Sequence, residues 1–204
     1  MYFCNSQSLI DMMITEEFRA DVAKAVEILR NGGVVLYPTD TVWGIGCDAT
    51  DDEAVRRIFA IKQRAEAKAM ITLVDGLPML DRYTENIPDV AEQLIEEAVS
   101  PLTIVLDRPR GLAPSLLAPD GSAGFRVTSE EYSRELCRRL RKPVVSTSAN
   151  ISGSPTPRFF KEISQEIIDA MDYVSSYRRD DNQPRRSSSV IKISDDATFQ
   201  ILRK

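Results

Sequence analysis

Apolar residues recur along the chain in two alternating patterns, one typical of amphipathic helices and the other of buried strands. The first helical stripe has spacings of four, four and three, and it consists of Phe18, Val22, Val26 and Leu29. Thr15 precedes this stripe as a candidate N-cap, and Gly32 and Gly33 follow it as a helix stop. A short apolar run, residues 34–37, comes next. This part of the chain is therefore predicted to be a helix followed by a buried strand.

The same alternation continues to the end of the chain. Further helices are predicted over about 51–61, 88–98, 129–140 with Ser129 as its cap, and 159–171. Further strands are predicted over 70–74, 102–106, 124–127, 143–146, 188–193 and 199–202. No internal repeat and no shift in composition divides the chain. The pattern predicts one α/β domain on a mixed sheet, over residues 15–204, with residues 1–14 as an N-terminal extension.

Composition narrows the class of protein. The chain has 204 residues, of which 43% are hydrophobic and 28% charged, as in ordinary globular proteins. No apolar run approaches the roughly 20 residues that span a bilayer, and the first residues do not form a signal peptide. The three cysteines, Cys4, Cys47 and Cys137, are spaced neither as a disulfide framework nor as a zinc motif. We therefore expect a cytoplasmic protein without membrane contact.

The chain has no histidine. This excludes serine–histidine and cysteine–histidine catalysis and removes the commonest zinc ligand. The net charge of −5 conceals basic clusters, such as residues 138–142 and 178–179. Such clusters could hold a phosphorylated ligand or contact RNA, although a solvated helix face explains either of them equally well. Any chemistry must use hydroxyls, carboxylates, lysine, arginine and backbone groups.

The most informative stretch is VVLYPTDTVWGIGCDA, residues 34–49. Its apolar strand ends in Thr39, Asp40 and Thr41, and two glycines, Gly44 and Gly46, follow. Small polar groups at a strand end beside glycines are typical of a ligand site, because glycine lets a ligand approach the backbone. A strand end with a tight turn explains the local pattern as well.

Other polar clusters come later in the chain. Lys62, Arg64 and Lys68 follow a predicted helix and suit phosphate oxygens, although a helix C-terminus favours cations in any case. Residues 144–153 carry a strand into a run of hydroxyl groups, and ligands of α/β sheets bind beyond such strand ends. Arg126 lies within an apolar strand, where an arginine needs an anionic partner. A last hydroxyl cluster, residues 187–189, leads into a strand.

Taken in order, these motifs resemble one family. PTDTVWGIGCDA, KQR-x-x-x-K, PLTIVL, GFRV, STSANISG and SSSVIKI are similar to the successive signatures of the YrdC/Sua5 family, the L-threonylcarbamoyladenylate synthases. The resemblance covers residues 18–203. It implies an α/β fold with a YrdC-like twisted mixed β-sheet, flanked by helices, around a central concave and positively charged cavity.

The resemblance also implies an activity. The family forms threonylcarbamoyl-AMP and pyrophosphate from L-threonine, bicarbonate and ATP, with Mg²⁺ accompanying ATP. The product serves the threonylcarbamoyl modification of adenosine 37 in tRNAs that read ANN codons, after hand-off to the tRNA threonylcarbamoyl transferase complex. Contact with tRNA or double-stranded RNA is a further implication. Three alternatives remain: an RNA- or nucleotide-binding protein without synthase activity, a carbamoyl-transfer domain of the hydrogenase-maturation type, and a silent regulatory paralogue.

Site residues follow from the resemblance by position. The residues implied to bind L-threonine are Thr41, Arg126, Ser146 and Ser188. Those implied to bind ATP are Arg64, Lys68, Ser122, Ser148, Asn150, Thr156 and Arg203. Lys62 and Arg64 are the implied catalytic pair, and no residue is implied as a metal ligand.

The chain departs from the family pattern at several positions. Ala65 and Ala69 replace usual prolines, Val99-Ser100 replaces Pro-Gly, and Lys192 stands where an acidic residue is common. Trp43 replaces the commoner tyrosine, which is a mild change. None of these departures removes a charged ligand contact, but the missing prolines and glycine could loosen loops at the ATP site.

Overall fold

The structure, a computed structural model, describes residues 16–63, 70–185 and 187–203. Strands within these residues are β1 (Val35–Tyr37), β2 (Gly44–Gly46), β3 (Ile71–Val74), β4 (Leu102–Leu106), β5 (Ala123–Val127), β6 (Val144–Ser148), β7 (Tyr173–Val174), β8 (Ser189–Ile193) and β9 (Phe199–Arg203). They form one sheet in the order β7-β1-β2-β6-β3-β5-β4-β8-β9. The sheet contains both parallel pairs, such as β3 with β5, and antiparallel pairs, such as β3 with β6. The predicted mixed sheet is confirmed.

The helices flank this sheet. They are α1 (Glu16–Arg30), α2 (Asp52–Ile61), α3 (Leu77–Arg82), α4 (Asp89–Glu96), α5 (Glu131–Leu140) and α6 (Gln165–Asp169), and two 3₁₀ turns cover Pro114–Leu116 and Phe160–Glu162. No helix in the described residues is both long and apolar enough to cross a bilayer. The predicted extension, residues 1–14, and the predicted cap Thr15 lie outside the described residues.

Several elements differ from the sequence predictions. The helix predicted over 159–171 is a 3₁₀ turn followed by the short α6, and the N-cap of α5 is Glu130, not Ser129. The Glu130 carboxylate accepts the N–H of Ser133 at 2.9 Å. Strand β2, helix α3 and strand β7 were not predicted. β2 is a Gly-Ile-Gly run whose extended form depends on its pairing with β1 and β6, and local propensity does not record such pairing.

Both faces of the chain at residues 34–37 are buried, which explains the continuous apolar run there. Val35 and Tyr37 pack in one hydrophobic cluster with α1 and α5, whereas Val34 and Leu36 pack in a second cluster with α2. Cys137 and Cys47 lie in the first and second cluster respectively, and both are free thiols. Burial raises the pKa of both thiols above its usual range, so they act as small core residues.

Gly46 makes room for Tyr37 and not for a ligand. A Cβ at this position would lie 2.2 Å from the carbonyl oxygen of Val145 and 2.7 Å from Tyr37 Cε1. The Tyr37 hydroxyl donates to the same Val145 oxygen at 2.9 Å, so the ring cannot move away without losing that bond. The expectation that Gly46 leaves space for substrate is therefore wrong.

Replacement of Gly46 by alanine should lower the free energy of unfolding by about 1–3 kcal/mol through overpacking, as measured by urea denaturation. Gly76→Ala is the matched control, because a Cβ there meets nothing closer than Pro78 Cδ at 3.6 Å. Equal losses of stability in the two variants would contradict this interpretation of Gly46.

Candidate functional site

A cavity of about 600 Å³ lies over one face of the sheet, because alternate residues of β4, β5, β8 and β9 line it. Its walls come from the segment that joins β1 to β2, from strands β3, β4, β5, β6, β8 and β9, and from the loops before β5 and β8. The lining residues are Thr41, Val42, Trp43, Gly44, Met70, Ile71, Thr103, Val105, Ala118, Asp120, Ser122, Ala123, Gly124, Arg126, Ser146, Thr147, Ser148, Thr156, Ser187, Ser188, Val190, Lys192, Gln200, Leu202 and Arg203. The surface is thus rich in hydroxyl groups over an apolar floor.

Most of the sequence-predicted site residues meet in this cavity. They are Thr41, Ser122, Arg126, Ser146, Ser148, Thr156, Ser188 and Arg203. Asn150 and Lys62 are not among the described residues that line it. Arg64 and Lys68 lie outside the described residues. The structure therefore brings together side chains from motifs that are far apart in the sequence.

The Thr39 and Thr41 hydroxyls form an ordered pair at the end of β1. Thr39 Oγ1 donates to the carbonyl oxygen of Val42 at 2.7 Å and accepts the N–H of Thr41 at 3.0 Å. Since its one proton is used, the 3.0 Å contact between the two hydroxyls requires Thr41 to donate to Thr39. The free lone pairs of Thr41 Oγ1 then serve as acceptors for a ligand N–H or O–H.

Arg126 is the central cation of the cavity. It projects from β5, its side chain is 2% exposed, and its Nη2 lies 3.2 Å from Asp40 Oδ1. Burial raises the pKa of the Asp40 carboxyl, and the Arg126 charge offsets only part of that shift. Burial also lowers the pKa of Arg126, which nevertheless stays charged because a guanidinium does not deprotonate in proteins. A buried cation on a cavity wall is suited to an anionic ligand.

Ser188 is held between two other groups of the cavity. Its Oγ lies 2.9 Å from Thr103 Oγ1. Arg203 donates from Nε to the Ser188 carbonyl oxygen at 3.0 Å and from Nη2 to Ser188 Oγ at 3.2 Å. The last strand, β9, thereby fixes the hydroxyl at the start of β8.

Lys62 joins the end of α2 to the hydroxyl-rich segment after β6. Its side chain is fully enclosed, and the ammonium donates to the carbonyl oxygen of Asn150 at 2.6 Å and to that of Ser148. The carbonyl oxygen of Lys62 in turn accepts the N–H of Ser152 at 2.8 Å. Asn150 donates from its side chain to the Ser154 carbonyl oxygen at 2.7 Å. These contacts order the segment that carries Ser148 to the cavity.

Ser122 lies in a short turn at the cavity mouth. Its N–H and hydroxyl both donate to Asp120 Oδ1, at 3.0 Å and 2.6 Å. Lys192 Nζ contacts the other oxygen of Asp120 at 2.6 Å, and both interactions lower the pKa of that carboxyl. Lys192 thus ties the loop before β5 to strand β8.

Sequence reasoning missed some of these residues. Thr103 lines the cavity and is buried, although it lies within the apolar PLTIVL run. A hydroxyl residue inside an apolar run is the sequence signal that could have indicated it. Lys192 is a departure from the family pattern, and only the structure shows that it lines the cavity. Asp40 was noted as part of its motif, but nothing local indicated that its partner would be Arg126, 86 positions later in the sequence.

The charge of the cavity depends partly on residues that the structure does not describe. Among the described lining residues, the cations are Arg126, Lys192 and Arg203, and the carboxylate is Asp120. Arg64 and Lys68 lie outside that set, so the predicted positive charge stays a prediction. No group of three His, Cys, Asp or Glu side chains in the described ranges is arranged to hold a metal ion.

The fold and the cavity together define an α/β protein that has one large mixed sheet and a hydroxyl-rich cavity over one face of that sheet. A family model named Sua5_yciO_yrdC and described as telomere recombination matches residues 27–204. The chain belongs to this Sua5/YciO/YrdC family.

Relatives and solved structures agree with this membership. The chain is 32% identical over 193 residues to the threonylcarbamoyl-AMP synthase of Cellvibrio japonicus, covering 94% of this chain and 99% of that protein. The E. coli YciO structure has a TM-score of 0.78 at 28% identity, covering 92% of this chain and 89% of that one. P. abyssi Sua5 complexed with L-threonine has a TM-score of 0.76 at 26% identity, covering 87% of this chain and 51% of that one. The present chain thus spans about half the length of that Sua5.

Proposed function

We propose that this protein is an L-threonylcarbamoyladenylate synthase, which forms threonylcarbamoyl-AMP and pyrophosphate from L-threonine, bicarbonate and ATP. One observation carries the proposal. One cavity contains side chains that the family resemblance implies for both substrates. Those implied for threonine are Thr41, Arg126, Ser146 and Ser188, and those implied for ATP are Ser122, Ser148, Thr156 and Arg203. The name of the Cellvibrio relative, which the chain matches over nearly its full length, supports the same activity.

The reaction consists of two steps that need no histidine. The neutral amine of threonine attacks the carbon of bicarbonate, and water leaves as the carbamate forms. A carbamate oxygen then attacks the α-phosphorus of ATP, and the bond to the β-phosphate breaks to release pyrophosphate. Such chemistry depends mainly on positioning and on stabilisation of negative charge. The order in which bicarbonate is activated first is an alternative with the same products.

The threonine side of the cavity supplies complementary groups. The guanidinium of Arg126 pairs with the amino-acid carboxylate, because it is a buried cation on the cavity wall. The acceptor lone pairs of Thr41 Oγ1 suit the substrate amine. The Ser188 hydroxyl, fixed by Thr103 and Arg203, and Ser146 complete the threonine contacts.

The ATP side is proposed to extend from Ser122 and Ser148 to Arg203, with Arg64 and Lys68 on the phosphates. Lys62 and Asn150 are proposed to order the Ser148 segment through the hydrogen bonds that they donate to backbone carbonyl groups. Mg²⁺ would enter with ATP on its phosphate oxygens, which is its usual manner of binding in nucleotide sites.

The downstream role is proposed from the product. Threonylcarbamoyl-AMP is a reactive mixed anhydride, so it would pass to the tRNA threonylcarbamoyl transferase complex for the modification of adenosine 37. A reducing cytoplasmic location is consistent with the two free, buried cysteines. Direct contact with tRNA or double-stranded RNA is a weaker part of the proposal, because the chain has a pI of about 5.0.

A direct assay tests the synthase activity. Purified protein is incubated with ATP, Mg²⁺, bicarbonate and labelled L-threonine, and pyrophosphate release is measured together with the mass of the labelled product. We expect release that requires both threonine and bicarbonate. A folded protein that binds ATP but releases no pyrophosphate would contradict the proposal and favour the nucleotide-binding alternative.

A further inference from the structure

The ion pair between Arg126 and Asp40 has an unusual position. Arg126 lines the substrate cavity, whereas Asp40 is not among the described residues that line it. Asp40 instead lies on a neighbouring pocket, together with Ser129, Glu130, Arg178 and Arg185. The Asp40 carboxylate therefore approaches the guanidinium from outside the substrate cavity, and it leaves the cavity side of Arg126 open.

The pair is buried but incompletely hydrogen-bonded. The side chains of Arg126 and Asp40 are 2% and 6% exposed. Within the described part of the chain, neither Asp40 oxygen has a hydrogen-bond partner, and Arg126 Nε has none. Buried polar atoms without partners are rare in folded proteins, and functional sites are among the places that retain them. An ion pair with a purely structural role would be expected to satisfy these atoms with hydrogen bonds.

Other charged side chains share the neighbouring pocket with Asp40. Arg185 contributes a second positive charge near the Asp40 carboxylate, and Asp181 accepts from Arg185 Nη2 at 3.2 Å. Arg178 binds both Asp181, at 2.6 Å, and Glu130, at 3.2 Å. The Glu130, Arg178, Asp181 and Arg185 side chains therefore form a charged network near Asp40, in which Arg185 adds positive charge to that of Arg126.

We propose that Asp40 is a positioning residue, which neutralises and orients the buried Arg126 guanidinium so that its cavity-facing N–H groups bind the carboxylate of the amino-acid substrate. The proposal rests on the proposed function, because it takes the Arg126 side of the cavity as the carboxylate subsite. An isolated buried arginine would be costly, and a carboxylate on its far side offsets that cost without occupying the ligand position.

The test compares ligands with and without a carboxylate. Calorimetry measures the binding of L-threonine, L-threonine amide and ATP to the wild type and to Asp40→Asn. We expect the variant to bind threonine about tenfold more weakly, because the Arg126 guanidinium loses the partner that orients it, while its affinities for the amide and for ATP stay within about twofold. Asp89→Asn, an exposed change in the first turn of α4, is the matched control and should bind all three ligands normally.

Conservative variants separate positioning from folding. Asp40→Glu keeps the charge and should restore threonine binding to within about threefold of the wild type. Asp40→Ser is a second neutral variant, to be used if Asp40→Asn does not give a native circular dichroism spectrum. Failure of both neutral variants to fold would overturn the proposal, since the pair would then be needed for the fold itself.

The outcomes also separate this proposal from the proposed function. Equal losses for threonine, its amide and ATP, or no loss for threonine, would overturn the role of Asp40 and leave the synthase activity intact. A wild type that binds threonine but releases no pyrophosphate would contradict the synthase activity, and the Asp40 comparison would still be decided by binding. A wild type that binds no threonine would overturn both.

Discussion

Replacement of Arg126 by glutamine is expected to raise the threonine concentration required for half-maximal activity by about 100-fold or more, because two charge-assisted hydrogen bonds of about 1.5–3 kcal/mol each would be lost. The requirement for ATP should change far less, since the proposed phosphate ligands are elsewhere. Pyrophosphate release measured against each substrate in turn provides both values. An effect confined to ATP would reverse the assignment of Arg126.

The same variant should also be less stable. Removal of the guanidinium leaves the Asp40 carboxylate, which is 6% exposed, without its 3.2 Å partner. Breaking a buried ion pair from one side costs about 3–5 kcal/mol, whereas replacement of both partners is often nearly neutral. The double variant Arg126→Gln with Asp40→Asn should therefore recover stability in urea denaturation but not recover threonine use. Recovery of both would show that Arg126 acts only through the fold.

Lys62→Met is expected to cause the second large loss, in stability and in ATP use together. The change removes the ammonium that donates to the carbonyl oxygens of Ser148 and Asn150. The Ser148 carbonyl would still accept the N–H of Asn150 at 2.9 Å. Loss of the donor to the Asn150 carbonyl should therefore lower the free energy of unfolding by about 1–3 kcal/mol. The segment that carries Ser148 would lose its order, and the Michaelis constant for ATP should rise.

Denaturation and steady-state kinetics of the same Lys62 variant distinguish its two assignments. The sequence resemblance implies a catalytic lysine, and removal of such a group would lower the turnover number while leaving stability and the Michaelis constants nearly unchanged. Lys24→Met is a suitable control, since Lys24 is an exposed residue of α1 that pairs only with Glu27 in the described part of the chain. A stable, slow Lys62 variant would contradict the positioning role.

Particular elements show how far the sequence predicts this fold. The stripe of Phe18, Val22, Val26 and Leu29 predicts α1 correctly, because all four side chains pack in one hydrophobic cluster. The prediction fails for β2, because Gly44 and Gly46 have no strand propensity of their own and are held extended by neighbours. The segment 159–171 is predicted as one helix, yet its helical part is limited to α6 after a 3₁₀ turn.

The candidate site, like the fold, is predicted only in part by the sequence. The motifs indicate which residue types carry chemistry, and the resemblance implies their ligands. Neither indicates that Lys62 turns its ammonium inward to the Ser148 segment, nor that Gly46 makes room for Tyr37. The sequence shows only that Lys62 shares a cationic motif with Arg64, whereas the structure shows the carbonyl oxygens to which its ammonium donates.

The sequence by itself determined the alternation of helices and strands, the absence of histidine chemistry, the family and eight of the residues that line the cavity. Those properties are local, since periodicity and motifs depend on residues that are near one another in the sequence. Only the tertiary structure decided which charges meet. Asp40 and Arg126 become partners because β5 lies close to the segment between β1 and β2, with the carboxylate on one side of the guanidinium and the cavity on the other. That arrangement depends on the order of strands in the sheet, a non-local property that residue spacing does not record.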